Sequence, residues 1–197
     1  MLSINKGEPW AFWPNSVCEN FSELSGDKFI SGEYDFEIKF KFSVEEDVDQ
    51  RLTVVSMLPN YVSYDLYNTW VNGIVVNTED GTTGKQLEGL VKQGQIHELV
   101  WKNTKGKYFE VLLDSEVVHI AENFPVSSET QIIFGAGNVP AHKGNHNYCK
   151  LNLYEFSFAV EGKEISRHDF KYFIENKAVD LTGNCNFIHK LQACIEK

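Results

Sequence analysis

Residues 33–42 alternate strictly between polar and apolar side chains. A period of two is typical of a β-strand with one face in a core and the other in water, because successive side chains point to opposite faces of a sheet. The pattern therefore predicts a half-buried strand whose apolar face lies between two sheets. The predicted buried face consists of Tyr34, Phe36, Ile38, Phe40 and Phe42, and the wet face of Glu33, Asp35, Glu37, Lys39 and Lys41.

Further short apolar runs follow, each bounded by a turn signal. Residues 95–103, 107–114 and 115–120 are separated by turns that contain Gly106 and the Asp114–Ser115 pair, which predicts a meander of hairpins. This spacing of strands and turns is typical of an all-β sandwich or barrel, and no linker or repeat interrupts it. We therefore expect one domain over residues 1–197.

Two later runs complete the strand pattern. Residues 131–134 are apolar and stop at Gly135, and residues 150–160 alternate again. The step from Leu153 to Phe156 breaks the alternation, which predicts a β-bulge or a strand that is covered on both faces.

Charge excludes two classes of partner. The chain has 18 basic and 28 acidic residues, a formal net charge of −10 and a pI near 5.1. Because an acidic surface repels phosphate groups, we expect neither nucleic acid nor membrane binding. The sequence also shows neither a signal-peptide pattern nor an apolar stretch of about 18 residues. Localisation stays open, and an extracellular protein would need a signal that was trimmed.

Four cysteines leave the redox state open between free thiols and a bridge, and none has the CxxC or Cys/His spacing of a zinc site. They are Cys18, Cys149, Cys185 and Cys194.

The order of these strands resembles the concanavalin A-like lectin/glucanase superfamily, especially its laminin G-like branch. The resemblance is carried by a strand that opens with His97, a hairpin with Asp114 at its turn, a strand that ends in Gly135, and the aromatic strand 153–158. Residues 161–170 and then 180–183 are similar to the tail of such domains in bacterial and phage surface proteins.

The resemblance implies a jelly roll of two antiparallel sheets, with a concave face that relatives use for saccharides. It covers a core of about residues 30–183 and leaves 184–197 as a C-terminal extension. The galectin constellation of His, Asn, Arg, Trp and Glu is not found, and the acidic run 45–49 lacks the Asn and His of a legume-lectin metal site. We expect no metal and no cofactor; calcium stays open as an alternative that no motif supports.

Glu33, Asp35 and Glu37 fit the Glu-x-Asp-x-Glu pattern of glucanases in this superfamily, where the first Glu is the nucleophile and the last the acid/base. Hydrolysis with retention of the anomeric configuration needs two carboxyl groups about 5 to 5.5 Å apart. Positions i and i+4 of a strand lie about 13 Å apart at Cα, so the two Glu side chains would have to lean toward each other across Asp35, which the geometry permits. Lys39 and Lys41 continue the same row, so a solvated stripe is the preferred interpretation. A glycoside hydrolase that uses these three residues is an alternative hypothesis.

Gln95, Ile96 and His97 match the Gln-Ile-His of alginate lyases with the same architecture. The accompanying Arg-rich and Tyr-Phe-Lys strand motifs are absent from the chain. We therefore expect His97 to be a strand residue with satisfied hydrogen bonds.

Two segments combine aromatic side chains with Asn and His. Sugar rings stack on aromatic faces while amides and imidazoles bond to hydroxyl groups, so this mixture predicts saccharide contacts. The candidates are Tyr64, Tyr67, Trp70 and Asn72 in one segment and Asn138, His142 and His146 in the other. A metal at the two histidines finds no third ligand.

The favoured hypothesis is a non-catalytic carbohydrate-binding module with a saccharide or glycan partner. The main alternative is a structural or adhesion domain with protein partners in a larger surface or phage assembly.

Overall fold

The computed structural model describes residues 1–5, 8, 10–13, 32–45, 52–58, 64–68, 73–74, 87–88, 91–122, 131–135, 150–174, 177–183 and 187–190. These residues form sixteen strands and no helix. The described part of the chain accordingly has no helix that could span a membrane.

The strands are short, as the turn spacing predicts. In the first half they are β1 (Leu2–Ile4), β2 (Trp10–Trp13), β3 (Phe36–Val44), β4 (Leu52–Leu58), β5 (Tyr64–Asn68), β6 (Gly73–Ile74), β7 (Leu87–Glu88) and β8 (His97–Thr104). In the second half they are β9 (Tyr108–Leu113), β10 (Glu116–Ala121), β11 (Gln131–Phe134), β12 (Leu151–Val160), β13 (Lys163–Asp169), β14 (Phe173–Ile174), β15 (Lys177–Ala178) and β16 (Phe187–Lys190).

Two seven-stranded antiparallel sheets make up the body of the fold. The first sheet has the order β1-β12-β3-β8-β9-β10, with β13 also paired to β12. The second sheet has the order β14-β15-β16-β2-β11-β4-β5, and β6 and β7 form a separate pair. The edge of β12 that faces away from β3 pairs with two short strands: β13 pairs with residues 155–160 and β1 with residues 151–153. The late aromatic strand β12 pairs antiparallel with β3.

The core lies between the two sheets, where the alternation of β3 predicts it. Phe36, Ile38 and Phe40 are at most 3% exposed. The ring centroid of Phe40 lies 5.4 Å from that of Phe134 on the second sheet. Trp101 on β8 is 2% exposed and shares this face. Burial of these large aromatic side chains, together with the aliphatic residues of the core, holds the two sheets together.

The predicted irregularities also appear. The register of β12 against β3 shifts between Leu153 and Glu155, which is the bulge that the broken alternation indicates. Asp114 and Ser115 have φ values of 50° and 72°, so the β9–β10 hairpin turns through two left-handed residues. This geometry matches the right-handed twist of the flanking strands.

One strand boundary differs from the sequence-based expectation. β3 begins at Phe36 rather than at residue 33, because the backbone of Tyr34 and Asp35 bonds to side chains of Asn103 and Glu161 instead of continuing the ladder.

Residues near both ends of the chain also contribute to the core. Phe12 and Ile188 are 0% exposed, and they pair across β2 and β16 inside the second sheet.

Candidate functional site

A groove of about 440 Å³ lies on the outer face of the first sheet, over β3, β12 and β13. Three cationic side chains line it: Lys39, Lys41 and Arg167. Four carboxylates line it as well: Glu98, Glu155, Glu164 and Asp169. These are the outward positions of strands whose inward positions fill the core, so the alternation that builds the sandwich also builds this polar face.

Strand register sets these charges in rows. Lys41 lies between Glu98 on β8 and Glu155 on β12, and Glu155 lies opposite Asp169 on β13. One row of side chains therefore crosses four strands, and it contains three carboxylates and one ammonium group. We call this row the acidic row; its residues are Glu98, Lys41, Glu155 and Asp169.

The neighbouring row carries the other two cations. Lys39 lies opposite Ser157 on β12, and Ser157 lies opposite Arg167 on β13. A small hydroxyl side chain thus separates two long cationic ones. The groove lies between and over these two rows.

Each groove cation lies close to a carboxylate. Lys41 Nζ donates to Glu155 Oε2 at 2.9 Å, and this hydrogen bond raises the pKa of Lys41. Arg167 lies 3.5 Å from Glu164, and Lys39 lies 3.4 Å from Glu37 just outside the groove. All of these side chains are substantially exposed, so each pair contributes only about 0 to 1 kcal/mol to stability. These pairs therefore contribute little to folding and leave their charged groups accessible at the surface.

The segment after β15 fixes one rim. Asp180 is 6% exposed, and its Oδ1 accepts hydrogen bonds from the backbone N–H of Arg167 and of Thr182. Leu181 N donates to Arg167 O at 2.7 Å. Leu181 is therefore held beside β13, where its 39% exposed side chain adds an apolar surface to the groove.

Mixed charges of this kind suit hydroxyl groups. A sugar hydroxyl donates one hydrogen bond and accepts others, so an ammonium–carboxylate pair offers it both partners at one place. The sheet holds these groups on a regular ladder, which is the preorganisation that binding sites need.

The glucanase-like triplet does not line the groove. Asp35 Oδ1 accepts the backbone N–H of Lys105 at 2.7 Å, and its own backbone bonds to Glu161 in the β12–β13 turn. Glu33 precedes β3, while Glu37 pairs with Lys39. Asp35 thus connects two turns at one end of the sheet, and the arrangement gives the hydrolase alternative no support.

His97 has the satisfied hydrogen bonds that the sequence predicts. It is 4% exposed, and its Nδ1 lies 2.7 Å from Asp114 Oδ2. Its Nε2 accepts the backbone N–H of Lys92 at 3.1 Å. Both contacts fit one neutral tautomer that donates from Nδ1. The ring lies beside Phe42 on the core side, so His97 joins the turn at Lys92 to the β9–β10 turn and has no nitrogen left for a substrate.

A Ser–His contact elsewhere is also structural. Ser166 Oγ lies 3.0 Å from His168 Nε2. Both residues are at most 1% exposed, so neither side chain can reach a substrate at the surface.

The aromatic and amide candidates fall largely outside the described residues. Tyr64 and Tyr67 belong to β5 in the second sheet. The remaining five candidates lie outside the described ranges: Trp70, Asn72, Asn138, His142 and His146. Their role in saccharide contacts stays a prediction. The described residues include no group of three or more His, Cys, Asp or Glu side chains placed to hold a metal.

Sequence reasoning missed the groove because it treated Lys39 and Lys41 as a plain solvated stripe. The available signal was the polar positions Glu155 and Ser157, which alternate with the buried Phe156 and Phe158 as the polar positions of β3 alternate with its apolar ones. Only the register of β12 between β3 and β13 shows that the two rows face one space.

Comparisons with known proteins give likenesses of structure. No family model matches the chain, and no curated protein matches it. The Ruminococcus gnavus IT-sialidase CBM40, solved with α2,3-sialyllactose, is 15% identical over 84% of this chain and 92% of that chain, with a TM-score of 0.50. The alginate lyase from Corynebacterium sp. is 14% identical over 66% of this chain, with a TM-score of 0.48, and this chain covers 61% of it. A Caenorhabditis elegans galectin is 11% identical over 64% of this chain and 84% of that chain, with a TM-score of 0.42.

The likeness is one of fold alone. Two antiparallel sheets packed face to face, together with the similarity to CBM40, give this protein a concanavalin A-like jelly-roll β-sandwich. The all-β class that the strand pattern predicted and the jelly-roll sandwich that the resemblance implied are both confirmed. Membership of the laminin G-like branch stays a prediction.

Proposed function

We propose that this protein is a non-catalytic carbohydrate-binding module whose glycan ligand lies in the groove over β3, β12 and β13. The observation that carries the proposal is the set of paired cations and carboxylates on adjacent strands, above all Lys41 with Glu155 at 2.9 Å. The groove volume of about 440 Å³ falls in the range of about 300 to 1,000 Å³ usual for small-molecule sites.

The fold is compatible with this role, since structural neighbours include CBM40 with sialyllactose. This support is an analogy at the level of fold, because one fold hosts many functions. The groove residues themselves carry the argument.

We propose that binding needs no calcium. Lys39, Lys41 and Arg167 stand among the groove carboxylates and would repel a second cation at that position. Addition of chelator is therefore expected to leave glycan binding unchanged.

A glycan array probed with the wild-type protein and with Lys41→Ala tests the proposal. Loss of a charge-assisted hydrogen bond costs about 1.5 to 3 kcal/mol, so we expect Lys41→Ala to weaken binding by about ten-fold or more. Lys102→Ala is the matched control, because Lys102 is an exposed lysine of β8 that does not line the groove. It should bind like the wild type.

A protein that binds no glycan on the array would contradict the proposal, as would equal binding by Lys41→Ala and the wild type. The first result would favour the structural or adhesion domain of a larger surface or phage assembly. In that case, exposed apolar side chains such as Val117 (49%) and Ile120 (59%) on β10 become the surface to test for protein partners.

A further inference from the structure

The charges around the groove nearly cancel, with a small excess of carboxylates. The lining has three cations and four carboxylates, which gives 3 − 4 = −1. Two further charged groups border it: Glu37 beside Lys39, and Lys171, whose Nζ lies 3.1 Å from Asp169 Oδ2. Including both leaves the balance at 4 − 5 = −1.

We infer that the groove selects neutral saccharides and discriminates against counterparts that carry a uronate or sialate carboxylate. This inference rests on the proposed function and names its ligand class.

An anionic sugar is disfavoured because the groove cations already lie beside protein carboxylates. A ligand carboxylate would need an ammonium or guanidinium partner, yet Lys41 already donates to Glu155 and Arg167 lies 3.5 Å from Glu164. Whether the ligand shares such a cation or displaces its protein partner, the ligand carboxylate then stands close to a protein carboxylate. Like charges on one small site repel each other, so the binding of an anionic sugar gains little.

The carboxylates of the acidic row repel an anionic ligand at the position of Lys41 itself. Lys41 is flanked by Glu98 and Glu155 on its two neighbouring strands, and Asp169 continues the row. Any carboxylate that reaches Lys41 therefore meets acidic side chains on both sides. The net charge of −10 adds a weaker repulsion from the rest of the chain.

A neutral hydroxyl avoids this conflict. It can donate to Glu155 and accept from Lys41 while the ion pair stays intact, because each charged group has further hydrogen-bonding capacity. Ser157, between Lys39 and Arg167, leaves space for a ring beside these groups without adding charge.

The test compares sugars that share a core and differ in a carboxylate. An array carrying neutral glycans together with their sialylated or uronate counterparts gives the first readout. Calorimetry with lactose against 3′-sialyllactose, and with galactobiose against digalacturonate, gives affinities for defined probes. Within each pair of sugars, we expect the neutral sugar to bind about ten-fold or more tighter than its anionic counterpart. This difference in affinity should shrink as the salt concentration rises, because salt screens the repulsion between carboxylates.

Glu155→Gln tests the mechanism, because it keeps the shape of the side chain and removes one charge from the acidic row. The ratio of the affinity for the neutral probe to that for the anionic probe should fall by about three-fold or more in this variant. Glu110→Gln is the control, since it makes the same change of net charge on the outer face of β9, outside the groove. It should leave this ratio unchanged.

The outcomes separate the two claims. If no glycan of either kind binds, the proposed function fails. If glycans bind and Lys41→Ala weakens them, but anionic members bind as well as neutral ones or better, the function stands and this inference is overturned. Equal effects of Glu155→Gln and Glu110→Gln would also overturn it, because the selectivity would then not come from the groove.

Discussion

Replacing Phe40 with alanine tests whether the two sheets meet where the structure places them. Phe40 is 1% exposed, and its ring centroid lies 5.4 Å from Phe134 on the opposite sheet. Its own sheet surrounds it with Phe42 at 5.5 Å and Trp101 at 6.1 Å. Neighbours on both sheets cannot collapse fully into the space that is left. We therefore expect Phe40→Ala to lower the free energy of unfolding by about 3 to 5 kcal/mol.

Urea unfolding followed by circular dichroism measures this loss, and the dependence of the free energy on urea should stay the same. The melting temperature should fall by roughly 6 to 20 °C for a chain of this length. Phe40→Leu is the matched control, because it keeps most of the apolar volume and should cost about 1.5 kcal/mol or less. A loss below about 1 kcal/mol for Phe40→Ala would show that this face does not lie between two sheets.

Three further outcomes are expected. Glu33→Gln and Glu37→Gln should each change stability and glycan affinity by less than about 0.5 kcal/mol, as ordinary surface sites do; a β-glucan hydrolysis that either variant abolishes would instead support the hydrolase alternative. Partial burial lowers the pKa of the His119 side chain, so the folded state favours the neutral imidazole. The contribution of His119 to the free energy of unfolding is therefore complete above the pKa of histidine in the unfolded chain, and it is lost as the pH falls through the lower pKa of the folded state. The fall in melting temperature from about pH 7.5 to about pH 5.5 should thus be smaller in His119→Gln than in the wild type, and equal falls would contradict this account. Ending the chain before Phe187 removes β16 from the interior of the second sheet, so light scattering should detect aggregation; a monomer with an unchanged melting temperature would refute this.

The first sheet was largely predictable because its strands carry local signals. Strict alternation predicted the buried face of β3, and the broken parity after Leu153 predicted the bulge in β12. The turn at Asp114 and Ser115 was predictable from short polar residues between two apolar runs. Each of these features depends on residues close together in the sequence.

The groove depends on long-range register and was not predictable in the same way. Lys41, Glu155 and Asp169 come from three segments, and only their alignment across β3, β12 and β13 turns separate polar stripes into one site. The strands at the chain ends carry weaker local signals for a related reason. β2 and β16 are short runs that pair with each other from opposite ends of the chain, and Phe12 on β2 is buried against Phe156 on the first sheet, which neither run shows alone.

The central claim is that a glycan lies in the groove over β3, β12 and β13, and a nuclear magnetic resonance titration tests it most directly. With the strongest glycan of the array as ligand, the backbone amides of Lys41, Ser157 and Arg167 should shift in a saturable way, while that of Glu110 on β9 should not. Saturable shifts that spare β3, β12 and β13 and cluster instead in residues 64–72 or 138–146 would contradict the account and would place the glycan on the aromatic and amide segments.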